Sequence, residues 1–174
     1  MRTKKIVYGG LLIALGIILP QLFHVFGQTA GQTFLPMHIP VLLAGLLIGP
    51  YWGMCVAIAA PILSSLITGM PPVPMLYFML LELVVYAVIS GLLSGKINIY
   101  LNLIITLICG RIVYGLSLVA AVNLFGMTFK FANTAAFFGG ILTGLPGIII
   151  QLVFIPIIMY ALKKGGLTLA KQTR

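Results

Sequence analysis

The stretch Met75–Leu93, MLYFMLLELVVYAVISGLL, decides the fold of this chain. It holds one charge, Glu82, which is also the only carboxylate side chain in the 174 residues. At about 1.5 Å of rise per residue such a helix nearly crosses a hydrocarbon layer about 30 Å thick. A carboxylate inside it is costly unless it is paired or serves a function.

The rest of the chain reads the same way. Hydrophobic residues make up 61% and charged residues 6%, with a mean hydropathy of +1.23. A soluble domain cannot cover its surface with so little charge. The composition therefore predicts an all-α membrane protein, a single integral domain over residues 1–174. The excess of ten Lys and Arg over one acid, net +9, could point to nucleic acid, but the basic residues sit at the ends of apolar runs, where they act as topology signals beside an anionic leaflet. No nucleic-acid partner is expected. Cys55 and Cys109 lie inside apolar segments without CxxC spacing, as packing residues would. The basic start Arg2, Lys4 and Lys5 ahead of an apolar run resembles a signal peptide, but no convincing cleavage motif follows, so it reads as a retained first helix.

Gly, Pro and polar punctuation divides the chain into six spans: Ile6–Phe23, Phe34–Ile48, Trp52–Thr68, Met75–Leu93, Ile97–Phe125 and Thr134–Leu162. The second and third are short and joined by Gly49-Pro50-Tyr51, which predicts a tight hairpin that need not cross the whole layer. The fifth and sixth are long enough to tilt. Six spans put both ends of the chain on one side. Arg2, Lys4, Lys5, Lys96, Lys163, Lys164, Lys171 and Arg174 then share that side, and only Lys130 falls in a loop opposite. By the positive-inside rule both termini are cytoplasmic. The outer face carries the connections His24–Thr33, Gly69–Pro74 and Gly126–Asn133, of which the first offers Gln28, Thr29, Gln32 and Thr33 and the second is stiffened by Pro71, Pro72 and Pro74.

Depth brings two charges together. Glu82 lies about 10 Å below the outer start of the fourth span, and Arg111 about 20 Å above the inner start of the fifth, hence also about 10 Å from the outer edge of a 30 Å layer. Two readings follow. Glu82 and Arg111 lock two adjacent helices as an ion pair, or they form a polar pocket in which Arg111 holds an anionic ligand group while Glu82 orients it or binds a ligand hydroxyl. Other polar groups gather in the outer half: Gln21 and His24 close the first span, His38 opens the second, Tyr77 starts the fourth, and Tyr114, Ser117 and Asn123 run outward along the fifth. Both histidines read as interfacial or satisfied side chains or as ligand contacts. Two separated histidines without a neighbouring carboxylate make a poor metal site, so no metal is expected. Tyr8, Tyr51, Trp52, Tyr77, Tyr100 and Tyr160 near span ends suit interface anchors. In the first span, Gly10-x-x-x-Ala14 leaves a flat strip for another helix, within this bundle or from a partner.

The sequence has no GxxxxGK[ST] loop, no HExxH and no Asp. Catalysis and autonomous ATP hydrolysis are not expected. A lone acid is also a thin basis for proton coupling.

A short six-span chain with cytoplasmic basic ends, a small-residue strip in the first helix and polar outer connections resembles the S components of energy-coupling factor (ECF) transporters. Phe34-Leu35-Pro36-Met37-His38-Ile39-Pro40-Val41-Leu42-Leu43-Ala44-Gly45 and Thr68-Gly69-Met70-Pro71-Pro72 look like the branch assigned to small vitamins or their precursors. The resemblance implies a multi-pass substrate-binding subunit of the bacterial cell membrane, working with a transmembrane coupling protein, EcfT, and two ATPase subunits that use ATP, with no cofactor in this chain. It implies partner contact through Gly10 and Ala14, although the family motif carries Ala at both positions. It also implies a lid over Gln28–Pro36 and a pocket from the last three spans. The residues themselves make Arg111, Glu82, His38, Gln32, Tyr77, Tyr114 and Asn123 the substrate-binding candidates. Arg111 favours a ligand with a carboxylate or another hydrogen-bond acceptor, which makes pantothenate the first choice. Pyridoxine, hydroxymethylpyrimidine and cobalamin are the alternatives, and an independent secondary transporter or a structural subunit of a larger complex are the rival classes.

Overall fold

The computed structural model describes residues 2–25, 27–125 and 134–166. These form seven helices: α1 Arg2–His24, α2 Gln28–Phe34, α3 His38–Ile48, α4 Pro50–Thr68, α5 Met75–Leu93, α6 Ile99–Phe125 and α7 Thr134–Lys164. Among the described residues six segments are long and apolar enough to cross a membrane, and no strand occurs. The loop Gly126–Asn133 with Lys130, together with Lys171 and Arg174, lies outside the described residues.

Local chemistry sets most boundaries. α4 starts with Pro50 in its first turn behind Gly49 at φ 91° and stops at Gly69 in the left-handed region, whose N–H donates to the Ser65 carbonyl. The turn that follows is tied back to α4 by hydroxyls: Ser64 Oγ donates to the Met70 carbonyl at 2.9 Å and Ser65 Oγ to that of Pro71 at 3.0 Å. Prolines 20, 61, 146 and 156 stay inside helices, as membrane helices tolerate.

The second span differs from the expectation of one helix after a polar connection. Residues 28–34 are helical, and the chain turns at Leu35, in the left-handed conformation at φ 48°, before α3 begins at His38. No proline interrupts the segment before Pro36, so nothing prevents a helical turn or two. Docking supplies the stabilisation. Phe34 stacks on Phe23 with ring centroids 5.2 Å apart, and α2 presses its backbone so close to α7 that a Cβ on Gly147 would stand 2.8 Å from the Phe34 carbonyl. Its 11 residues give α3 a length of about 16 Å, half a bilayer. It completes its crossing only with α2.

Short α3 is the centre of the bundle. Every residue from Pro40 to Ile48 is buried, and α5, α4, α1 and α7 pack around it. The outward faces of the long helices carry Leu11, Leu66, Ile108 and Ile149 in the open, the inside-out pattern of a chain whose solvent is hydrocarbon. Close approach at the centre depends on Gly45, because a Cβ there would collide with the Ala87 carbonyl oxygen and Ser90 Oγ of α5. Gly45→Ala should therefore lower stability by about 1–3 kcal/mol through overpacking. Gly10→Ala, whose Cβ would meet nothing within 4 Å, should stay within about 0.5 kcal/mol of the parent. Thermal unfolding of both variants in detergent checks the contrast.

Candidate functional site

Three helices meet at one carboxylate, and two further segments close around its arginine. Glu82, 2% exposed, sits in the middle of α5. Tyr86 lies one turn further along the same face, the i, i+4 relation that brings side chains together, and its hydroxyl donates to Glu82 Oε1 at 2.7 Å. From α6, Arg111 Nη1 approaches the same Oε1 at 3.4 Å. From the first turn of α3, His38 Nε2 stands 3.6 Å from Oε2. α7 closes the far side of the guanidinium with Gly144, where a Cβ would stand 3.0 Å from Arg111 Nη2, and Leu35 from the α2–α3 turn reaches the same spot.

The depth argument from sequence thus holds for Glu82 and Arg111, which do meet. The expectation that His38 has no neighbouring carboxylate is corrected: α3 starts so late that its first residue lies level with Glu82. Tyr86 joins the site from within an apolar run. It is fully buried, its ring centroid lies 5.5 Å from that of His38, and it occupies space that α6 leaves by having Gly110 there, since a Cβ at 110 would run into the ring. Its signal in the sequence is the spacing of four residues from the lone acid.

Other candidates are dispersed. Tyr114, a turn beyond Arg111, packs edge-on against Phe78 with centroids 6.5 Å apart, and Ser117 Oγ donates to its carbonyl at 2.7 Å. Tyr77 is 58% exposed, turned well away from the Glu82 face. Gln32 and Asn123 are exposed as well. Gly10 and Ala14 lie on the exposed side of α1, whereas neighbouring Gly9 faces Ile48 and Val56. The strip is therefore not covered by packing among the described residues. His24, whose side chain lies outside the described ones, is not placed.

Hydrogen bonding at the site is incomplete. Arg111 Nε and Nη2, both ring nitrogens of His38, and both amide atoms of fully buried Gln151 on α7 are buried without a hydrogen-bond partner among the described residues. Buried polar atoms are normally paired, so a cluster of exceptions asks for a cause. A second polar group, away from these atoms, is satisfied: Asn102 Nδ2 donates to the Ser90 carbonyl at 3.0 Å and Thr106 Oγ1 to Asn102 Oδ1 at 3.1 Å, tying α5 to α6. Beside Arg111 an open apolar groove runs between α6 and α7, walled by aliphatic residues such as Leu107, Ile112 and Leu152, with Ile112 itself on the exposed face.

Arg111, with its side chain 16% exposed, keeps two buried donors unpaired among the described residues, and the first helix keeps Gly10 and Ala14 on its exposed side. Residues 4–159 match the family model described as ECF transporter, substrate-specific component. The chain belongs to that family. Comparison with curated proteins and with solved structures gave no match. S components are integral membrane proteins that bind the substrate for an ECF transporter and are not enzymes, so the protein works with the other components of such a transporter and a small-molecule substrate.

Proposed function

We propose that this S component takes up an acidic, water-soluble vitamin from the outer side of the membrane, with pantothenate the first choice. The observation that carries this is the state of Arg111: one nitrogen leans on Glu82, while Nε and Nη2 are buried with no acceptor among the described residues. An arginine serving only to lock α5 to α6 would use its fork on the carboxylate, with two bonds of roughly 2.7–2.9 Å. A ligand carboxylate supplies the missing acceptor. His38 and Gln151 are further donors for the hydroxyl and amide groups of such a molecule, and Tyr114 walls the site one turn outward. Gln32, on α2, would act from the segment that covers the site, whereas Tyr77 and Asn123 keep a role only if the ligand reaches the exposed rim. Pyridoxine and hydroxymethylpyrimidine, which carry no carboxylate, would leave Arg111 unanswered, and cobalamin would demand a far larger opening.

Energy comes from partners in this reading. With both termini cytoplasmic, Gly10 and Ala14 contact the transmembrane coupling protein through the open strip of α1, and two ATPase subunits hydrolyse ATP. An independent secondary transporter is the competing function, and uptake by the purified chain alone in liposomes would establish it.

The ligand test uses a neutral analogue. Purified chain should bind pantothenate at least about tenfold more tightly than pantothenol, its alcohol, because a hydrogen bond to a charged group contributes about 1.5–3 kcal/mol. Isothermal titration measures both, and equal affinities, or co-purification of an uncharged vitamin, would overturn the assignment.

A further inference from the structure

Glu82 Oε1 is shared unequally. Tyr86 holds it at 2.7 Å, an ideal distance for a hydroxyl donating to a carboxylate, and Arg111 Nη1 stands off at 3.4 Å. We propose that Tyr86 is a positioning residue that keeps the Glu82–Arg111 pair from closing, so that the guanidinium stays open to the ligand. This rests on the reading of Arg111 as the ligand's anchor, and adds how the site is kept available.

The two competitors differ in freedom. Tyr86 cannot leave: its ring has no exposed surface, His38 lies against one side, and the bare backbone at Gly110 receives the other. Arg111 can move, because an open groove between α6 and α7 borders it and the side chain is 16% exposed. Geometry at the carboxylate is therefore dictated by the phenol. Its proton takes the favourable approach to Oε1, while His38 Nε2 stands at 3.6 Å on Oε2. A bidentate fork needs both oxygens in one plane with two short N–H contacts, and both oxygens already have company. The unpaired Nε and Nη2 are the residue of that competition. If the phenol oxygen were removed, the guanidinium would need to advance only about half an ångström to close on Glu82, and a ligand would then have to reopen the pair before binding.

Tyr86→Phe tests this without disturbing the space beside Gly110. Because Glu82 is the sole Glu and the chain has no Asp, carbon-13 on Glu and nitrogen-15 on Arg report this pair almost alone in a dipolar-recoupling solid-state NMR measurement. In ligand-free protein, Tyr86→Phe should give a stronger Glu82–Arg111 coupling than the parent, and an unchanged or weaker coupling would overturn the proposal. With pantothenate as the binding probe, the same variant should bind about tenfold more weakly, as expected when the competent state becomes the minor one, while its unfolding midpoint stays at or above that of the parent. A tightened pair with unchanged pantothenate affinity would also overturn it. If the parent fails to bind pantothenate, the substrate assignment falls, and the coupling still decides the role of Tyr86.

Discussion

Glu82→Ala should be the most destabilising single substitution at the site, lowering stability by about 3–5 kcal/mol, the usual result of leaving one member of a buried ion pair uncompensated. The carboxylate accepts a hydrogen bond from the Tyr86 hydroxyl, with Arg111 and His38 at 3.4 and 3.6 Å. Without it, a guanidinium remains charged at membrane depth in a chain that has no other Asp or Glu side chain. Unfolding midpoints in detergent check this, with two companions that separate the causes. Glu82→Gln keeps an acceptor for Tyr86 and should lose less. The double exchange Glu82→Leu with Arg111→Leu removes both charges together and should recover most of the stability, while abolishing anion binding. A Glu82→Ala protein as stable as the parent would mean that Arg111 has another counter-charge.

Arg111→Lys should have the largest effect on binding with little on folding. Lysine keeps the positive charge that compensates Glu82, but it offers a point charge on a flexible stem in place of a planar fork. The hydrogen bonds that Nε and Nη2 would make to a carboxylate are lost, so pantothenate affinity should fall about 10- to 150-fold, the equivalent of 1.5–3 kcal/mol. Titration calorimetry gives the affinity and thermal unfolding the stability. Parental affinity in the folded variant would place the anchor elsewhere.

How much of this was legible beforehand differs between fold and site. Hydropathy alone separates the six spans, because crossing a bilayer requires a continuous apolar run, a local property of the chain. Met75–Leu93 is helical over the predicted residues, and the other long spans differ by a few residues at their ends. The segment Gln28–Phe34 was not legible. Its polar residues favour a loop in isolation, and it becomes helical against α7, where Gly147 lets its backbone approach. Tyr86 was hidden for a related reason. In a run as apolar as α5, a tyrosine four residues after the acid reads as one more large side chain until Gly110 on another helix is seen to make room for it.

The sequence by itself determined that this is a six-span membrane protein with one acid and one arginine at matching depth, since span length and rise per residue are sums along the chain. Only the tertiary structure decided how those charges are employed. Whether Glu82 and Arg111 close as a pair or stand 3.4 Å apart depends on His38, Tyr86, Gly110 and Gly144 arriving from other parts of the chain. A hydrogen bond is won or lost over a few tenths of an ångström, and that precision comes from helix packing, to which residues far apart in the sequence contribute together.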